Sequence, residues 1–290
     1  MVNIGRVGIK WTKNYPSQKI LRKEIQAEID ATIEILFKTF GKKNIKGIYF
    51  KGSASKQWDS IIDYIPEFSD IDIHILFHKD GLMHKKIGKV RDALQFGKVI
   101  EAAFLKRVKK PLYLPRLQLL SLNEICKKEF YVPSPASIVH SIYGAGYTSR
   151  LVPSKENISH SLSGIYEHEQ FLDNFAHKVM DSSSTSLPKD LRDMFWRISS
   201  SGNHILVLSG LSYEEAWARN RTGVVNKLIE LGHKKLAEQY MLFYKYCWDY
   251  VLTRDVDYAR YAMIVGHNVI GECISFAKKY ENSKSLKKKK

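Results

Sequence analysis

The clearest chemical signal in the sequence is a pair of carboxylates, Asp70 and Asp72, on a predicted strand. Four apolar residues alternate there with four polar ones: Ile71, Ile73, Ile75 and Phe77 with Asp70, Asp72, His74 and His78. Successive side chains of a strand point to opposite faces, so the alternation places both carboxylates on one face. Two such carboxylates repel each other unless a cation lies between them, and a hard divalent cation prefers oxygen ligands. The alternative is an edge strand whose polar face contacts only water.

A turn that precedes this strand is suited to phosphate. The apolar residues Ile48, Tyr49 and Phe50 lead into Gly52 and Ser53, a pattern typical of a strand that ends in a turn. Glycine allows the backbone to approach a ligand closely, and backbone N–H groups beside a serine hydroxyl form a concavity that accepts phosphate oxygens. The turn and the strand together predict a site for a phosphate group and its metal ion.

The Gly-Ser turn followed by an Asp-x-Asp strand resembles the signature of the nucleotidyltransferase superfamily. This superfamily includes DNA polymerase β, the antibiotic nucleotidyltransferases, the poly(A) polymerases and the CCA-adding enzymes. The resemblance implies that Gly52 and Ser53 contact a nucleoside triphosphate, and that Asp70 and Asp72 are catalytic residues that hold Mg²⁺ or Mn²⁺. Lys56, just after the turn, could neutralise the leaving pyrophosphate, and its alternative is an ordinary surface lysine.

The resemblance covers about residues 47 to 122 and departs from the family at the third carboxylate, which normally lies on a later strand. The best candidate for that strand is residues 112 to 122, which contain no acid. The residues at the expected position are Arg116, Gln118 and Ser121. Either the strand is aligned differently, or an acid such as Glu101 or Glu124 substitutes, or the chain binds nucleotide without efficient catalysis.

The surrounding patterns predict an α+β fold, with a small mixed β-sheet as the nucleotidyltransferase core and a mostly helical C-terminal domain. An amphipathic helix begins after Ser17 as a potential N-cap and ends at Gly41, and a second covers residues 83 to 108. Helical patterns follow near residues 159–180, 188–209, 212–231, 233–252 and 255–280. The predicted division is a core (1–130), a linker or ordered interdomain loop (131–157), a helical domain (158–282) and a basic tail (283–290).

The composition indicates a strongly basic chain. Among 290 residues, 46 Lys and Arg against 30 Asp and Glu give a formal net charge of +16 and a pI near 9.5. Such a charge attracts polyanions, so RNA is a candidate partner beside the nucleoside triphosphate. The alternative is a basic enzyme that handles nucleotides without binding RNA.

Two further features of the composition bear on the compartment. No run of 18 or more apolar residues occurs, so we expect no membrane span, and the N-terminus lacks the pattern of a signal peptide. The three cysteines are scattered, which argues against a disulfide framework or a zinc site and favours the reducing cytoplasm. The oligomeric state is not predicted.

Other candidate groups have simpler explanations. The acids between the turn and the strand, Asp59, Asp63 and Glu67, are expected to be solvated rather than to bind metal. The donors of residues 217 to 227 could meet phosphates or form a solvated helix face. Tyr143, Tyr147 and Arg150 could contact a base and its phosphate or pack between domains. Arg197 and His204, with six residues between them, resemble the Arg-x(4 to 6)-His pattern of HEPN-type ribonucleases, a spacing that also arises by chance.

Two functions follow from these patterns. The first is a metal-dependent nucleotidyltransferase that moves a nucleoside monophosphate from a nucleoside triphosphate to a hydroxyl of RNA, a small molecule or a protein. The second is a non-catalytic nucleotide-binding or RNA-binding module that lacks the third carboxylate. The number of carboxylates on this face of the sheet distinguishes the two: a third acid near Asp70 and Asp72 would favour the enzyme, and Gln118 or Arg116 in its place would favour the binding module.

Overall fold

The structure, a computed structural model, describes residues 9–128 and 131–288, and these fall into two compact units. The sheet unit comprises residues 12–57 and 69–150, and the helical unit comprises residues 9–11, 58–68 and 151–288. The chain therefore leaves the sheet unit after the Gly-Ser turn and returns to it just before the Asp-x-Asp strand. The start of the predicted core (1–8) and the end of the basic tail (289–290) lie outside the described residues.

The described residues of the sheet unit form four strands and four α-helices. In chain order these are α1 (Gln18–Phe40), β1 (Ile45–Lys51), β2 (Asp70–Phe77), α2 (Leu82–Ile87), α3 (Val90–Arg107), β3 (Arg116–Ser121), α4 (Leu122–Ile125) and β4 (His140–Gly144). The strand order is β3-β2-β1-β4, with β1 antiparallel to both neighbours and β2 parallel to β3. The connection from β2 to β3 runs through α2 and α3, since parallel strands require a crossover.

The apolar face of the sheet is closed by helices. Ile71, Ile73 and Ile75 of β2 are fully buried. Ala31 and Ile35 of α1 form a buried cluster with residues of α3, and Leu117 of β3 packs against it. This arrangement explains the strict alternation of β2, because only one of its faces needs apolar side chains.

The opposite face of the sheet is only partly covered. At one end, Tyr49 packs with Leu122 and Ile125 of α4. Partly buried residues complete this small core: Leu76, Leu120, Tyr131, Val139 and Tyr147. At the other end, the same face carries charged residues.

The helical unit consists of α5 (Ser154–Tyr166), α6 (Glu169–Met180), α7 (Leu187–Leu208), α8 (Tyr213–Ala218), α9 (Arg221–Glu230), α10 (Lys234–Thr253) and α11 (Val256–Lys288). Its core is aromatic: Phe195 of α7 packs against Phe243 and Tyr244 of α10. Trp248 and Tyr240 of α10 are also almost completely buried. The aromatic residues of α10 therefore form part of the core of this unit.

The α+β class is confirmed by the mixed four-stranded sheet and the mostly helical C-terminal part. Helix α1 matches its predicted range and ends at Gly41, whose φ of +77° suits glycine. Ser17 occupies the N-cap position, with no capping hydrogen bond from its side chain. The helix predicted over residues 83 to 108 is interrupted, since α2 ends at Ile87 and α3 begins at Val90.

The predicted linker of residues 131 to 157 contributes a strand to the sheet. β4 pairs with β1 along the edge opposite β2, and Gly144 lies so close to Lys46 that a Cβ would come within 3.0 Å of the Lys46 carbonyl carbon. Helix α5 begins at Ser154, within the same predicted segment. The last division between the two units falls after Arg150.

No helix among the described residues has the length and apolar character needed to cross a bilayer.

Candidate functional site

The candidate site lies at the end of the sheet where β1 ends and where β2 and β3 begin. Lys51, the last residue of β1, is the register partner of Asp72. On the other side of β2, Arg116 pairs with Asp70, and Gln118 pairs with Asp72. Register partners on adjacent strands point to the same face, so two carboxylates, two cationic side chains and one amide share this end of the sheet.

The Gly-Ser turn lies directly against the second carboxylate. Gly52 has a φ of +82°, a conformation that L side chains rarely adopt. A Cβ at this position would lie 2.8 Å from Cγ of Asp72 and closer still to its Oδ2. Both the backbone conformation and the contact therefore require glycine. The tertiary structure brings together the two predicted motifs, the turn and the Asp-x-Asp strand.

The turn is fixed by hydrogen bonds at both ends. The amide N and Oγ of Ser55 donate to the Gly52 carbonyl at 3.2 and 2.9 Å. Arg22 of α1 donates from Nη2 to the Lys56 carbonyl at 3.0 Å. Ser53 and Lys56, the other predicted contacts of a triphosphate, are half-buried within this ordered turn.

Lys51 is a residue of this site that the sequence analysis did not identify. Its Nζ donates to Oγ of Ser134 at 3.0 Å. Burial lowers the pKa of Lys51, whereas the nearby charge of Asp72 acts in the opposite direction. A sequence signal was available, because Lys51 ends the apolar run of β1 immediately before Gly52.

His74, on the same face of β2 as the carboxylates, is a buried and neutral side chain. It is 4% exposed, and its Nε2 has no hydrogen-bond partner among the described residues. Burial and, to a smaller extent, the charge of Lys51 lower the pKa of His74 to about 3.

The position expected for a third acid is occupied by other residues. Arg116 donates from Nε to Oδ1 of Asp70 at 3.1 Å, and Gln118 stands beside Asp72. The two acids proposed as substitutes lie elsewhere. Glu101 lies on α3, which covers the apolar face, and Glu124 lies on α4, beyond the far end of β3.

The number of carboxylates at the site bears on which metal ion it could hold. Within the described part of the chain, no group of three or more His, Cys, Asp or Glu side chains is placed to hold a metal. Mg²⁺, however, usually keeps several waters and is bound through one or two carboxylates together with substrate phosphates. Asp70 and Asp72 supply that number of carboxylates.

Two of the acids between the turn and β2, Asp63 and Glu67, form contacts within the helical unit. Asp63 is 1% exposed and accepts hydrogen bonds on Oδ1 from the Thr222 amide at 2.8 Å and on Oδ2 from the Thr222 hydroxyl at 2.9 Å. The amides of Asp59 and Ser60 also donate to Oδ2. Glu67 forms an ion pair with Arg254. The expectation of a solvated side chain is therefore wrong for Asp63, which is buried, whereas Asp59 is exposed.

The cationic segment that starts near Trp217 is likewise used within the helical unit. Arg221 is buried, donates from Nη1 to the Ile62 carbonyl at 3.0 Å, and lies 4.4 Å above the ring of Tyr244. Asn220 is the N-cap of α9, since its side chain accepts from the Gly223 amide. Arg221 and Asn220 therefore make contacts within the helical unit. Their side chains are not placed to contact a phosphate.

The Arg197 and His204 pair is not an accessible site either. His204 is 3% exposed and contacts Oγ of Ser161 through Nδ1 at 3.3 Å. Burial, with smaller effects of His160 and His168, lowers the pKa of His204 to about 3. The guanidinium of Arg197 lies 4.3 Å from the ring centre of Phe171. A buried, neutral histidine cannot reach an RNA backbone, which argues against the ribonuclease interpretation.

The tyrosines of the predicted linker pack within the sheet unit. Tyr147 lies edge-on to Tyr49 and donates its hydroxyl to the Ser134 carbonyl at 3.2 Å. Tyr143 lies edge-on to Phe37. Packing, rather than base stacking, accounts for both rings.

Comparisons with known proteins matched no family model, no curated protein and no solved structure. The resemblance to nucleotidyltransferases therefore depends on the motif residues themselves, Gly52, Ser53, Asp70 and Asp72.

Proposed function

We propose that this end of the sheet binds a nucleoside triphosphate together with a divalent cation. The observation that carries the proposal is the contact of Gly52 with the Asp72 carboxylate, because it places a phosphate-binding type of turn against a metal-binding type of side chain. Asp70 and Asp72 would hold Mg²⁺ or Mn²⁺, and the backbone of Gly52 and Ser53 would approach the triphosphate. When bound, the cation neutralises phosphate charge and makes the α-phosphate more electrophilic.

One function that such a site could serve is transfer of a nucleoside monophosphate to a hydroxyl. The paired carboxylates on one strand face favour it, since positioning and electrostatics provide most of the catalysis of phosphoryl-type transfer. Lys51, and Lys56 in the turn, would offset the charge of the leaving pyrophosphate. His74 would be a poor general base, because its pKa is lowered to about 3.

A specific observation favours the second function, nucleotide binding without efficient transfer. Gln118, a neutral amide, stands beside Asp72 where a third carboxylate would assist the catalytic metal, and Arg116 forms an ion pair with Asp70. The Arg116 guanidinium has no lone pair to offer a cation, and the neutral Gln118 amide cannot accept a proton from an attacking hydroxyl. The geometry therefore supports metal-dependent nucleotide binding best, with transfer as the activity to be tested.

The binding step is tested by calorimetric titration of the full chain with each of the four ribonucleoside triphosphates, in Mg²⁺ and in excess EDTA. We expect binding that requires Mg²⁺. Asp70→Asn and Asp72→Asn should each weaken it at least about tenfold, because removing even the outer-shell partners of a metal costs about 10- to 100-fold. The matched control is Asp92→Asn, which changes an exposed acid on α3. It should bind the nucleoside triphosphate as the wild type does. Binding that persists in EDTA, or in the Asp70 and Asp72 double variant, would refute the site.

The transfer step is tested with α-labelled nucleoside triphosphates and three acceptors: total RNA, a small-molecule extract and the protein itself. Label transferred by the wild type and lost in Asp70→Asn would establish a nucleotidyltransferase and identify its acceptor class. Metal-dependent binding without transfer would establish the binding module. In that case Gln118→Asp, which adds a carboxylate beside Asp72, should strengthen Mn²⁺ binding.

A further inference from the structure

A cavity of about 310 Å³ lies on the face of the sheet opposite the carboxylate site. It is bounded by α1, α2, α3, β3 and the residues just before β3. Leu117 and Leu119 of β3 line it, and they alternate along the strand with Arg116 and Gln118 of the candidate site. Its other apolar residues include Met83, Ile87, Phe96, Ile100, Phe104 and Leu114.

Two glutamates interrupt this apolar lining, Glu28 of α1 and Glu101 of α3. Glu28 is only 4% exposed, and no described residue forms a hydrogen bond or an ion pair with its carboxyl group. Glu101 is exposed and lies where the cavity meets solvent. Burial and, secondarily, the charge of Glu101 raise the pKa of Glu28 to about 7.

An unpartnered buried carboxyl group is unusual in this chain. The protein has 46 Lys and Arg residues that could neutralise it. Glu24, one turn earlier on the same helix and also buried, accepts a hydrogen bond from the Leu112 amide at 2.8 Å. A buried polar group without a partner destabilises the fold. Glu28 therefore differs from its neighbour in being directed to an open space instead of a partner in the protein.

We propose that this cavity binds an organic cation, namely a primary amine with an apolar body. The ammonium group would lie between Glu28 and Glu101, and the body would pack against Phe96, Phe104 and the leucines of β3. A cavity of about 310 Å³ suits a small ligand with a single ring or a short chain, since ligand pockets range from about 300 to 1,000 Å³. The site lies on the other face of the sheet and does not depend on the proposed nucleotide site.

The experiment is calorimetric titration of the full chain with 2-phenylethylamine and with its neutral counterpart 2-phenylethanol, at pH 8. We expect saturable binding of the amine and binding of the alcohol at least about tenfold weaker, because a hydrogen bond to a charged group is the stronger kind. Glu28→Gln should weaken amine binding by at least about tenfold as well. Glu101→Gln should weaken it less, since that carboxylate is exposed to solvent.

Glu24→Gln is the matched control, because it changes a buried glutamate on the same helix that does not line the cavity, and it should bind the amine as the wild type does. Equal affinity for the amine and the alcohol would show an apolar cavity only and would overturn the proposal. Unchanged amine binding in Glu28→Gln would do the same, as would the lack of any saturable binding of the amine. Circular dichroism of each variant confirms that it is folded.

Discussion

Two buried carboxylates of this protein, Glu28 and Asp63, have opposite surroundings. Asp63 accepts hydrogen bonds from three amides and one hydroxyl, so its polar atoms are satisfied inside the helical unit. Glu28 has no such partner among the described residues and faces a cavity. Both are buried acids, yet only the first is explained by the fold. The number of hydrogen bonds that a buried carboxylate accepts from the protein, rather than its burial, therefore separates a structural carboxylate from one that is available to a ligand.

The raised pKa of Glu28 predicts a specific dependence of stability on pH. Its pKa is about 7 in the folded chain against 4.5 for an unperturbed glutamate, so folding favours the protonated form. Protonated Glu28 makes its full contribution to the free energy of unfolding below about pH 4.5. This contribution is lost as the pH rises through 7. Glu28→Gln, which is neutral at every pH, should therefore be more stable than the wild type at pH 8, by about 2 to 3 kcal/mol.

Urea unfolding of the wild type and of Glu28→Gln at several pH values between 4.5 and 8 measures this effect. The acids near Glu28 that could contribute are Glu101 on α3 and Glu24 on α1, so Glu101→Gln should show a smaller change in the same direction. The control is Asp30→Asn, which changes an exposed acid on α1. It should leave the dependence of the free energy of unfolding on pH unchanged. A stability difference between the wild type and Glu28→Gln that does not vary with pH would contradict the assignment.

At the scale of elements, the segment of residues 58 to 68 is held by the helical unit through three kinds of contact. Asp63 accepts from both donors of Thr222 at the start of α9. Trp248 of α10 donates its indole N–H to the Ile61 carbonyl at 2.6 Å. Arg221 donates to the Ile62 carbonyl. The segment thus belongs to the packing of α9 and α10, although in sequence it joins two strands of the sheet.

This contact predicts that Asp63→Asn destabilises α9. The amide nitrogen of asparagine cannot accept, so buried donors lose their partner, and we expect a loss of about 2 to 4 kcal/mol. Faster hydrogen exchange in peptides from α9 and α10 would locate the effect. Asp257→Asn is the control: its exposed ion pair with Arg260 on α11 should contribute less than about 1 kcal/mol. Exchange in α9 that equals that of the wild type would show that Asp63 does not hold this helix.

At the scale of the whole molecule, the net charge of +16 predicts salt-dependent association with polyanions. Residues 283 to 290, SKSLKKKK, contribute five lysines, and their removal lowers the charge to +11 (16 − 5 = 11). For a single-stranded RNA, the slope of log affinity against log salt should fall in magnitude by at most about 3.5, because each phosphate contact contributes about 0.7.

Fluorescence anisotropy with a labelled single-stranded RNA at several salt concentrations measures both slopes. A chain with the five lysines replaced by glutamine is the matched variant, since it keeps the length of the tail. Affinity that is independent of salt would rule out electrostatic binding of RNA. If the full chain and the variant have equal slopes, the association involves basic residues outside the tail.

Local patterns in the sequence were sufficient for several parts of this structure. The alternation from Asp70 to Phe77 predicted β2 and its two faces, the amphipathic pattern before Gly41 predicted α1, and the helical pattern near residues 233–252 predicted α10. Each of these depends on the periodicity of neighbouring residues, which secondary structure imposes directly. The same reasoning identified Gly52, Asp70 and Asp72, which the structure brings to one end of the sheet.

The tertiary structure decided which residues stand beside these. The pairing of Arg116 and Gln118 with the two aspartates depends on the register of two strands separated by α2 and α3, and no local pattern specifies that register. The acids of residues 58 to 68 were expected to be solvated, but this segment packs in the helical unit, where its apolar residues are all buried: Trp58, Ile61, Ile62, Ile65 and Phe68. Glu28 lies on an apolar helix face, where sequence alone predicts either a paired or an exposed acid. Its open, unpartnered position follows from how α1, α3 and β3 pack, because burial and pairing are set by residues far apart in the chain.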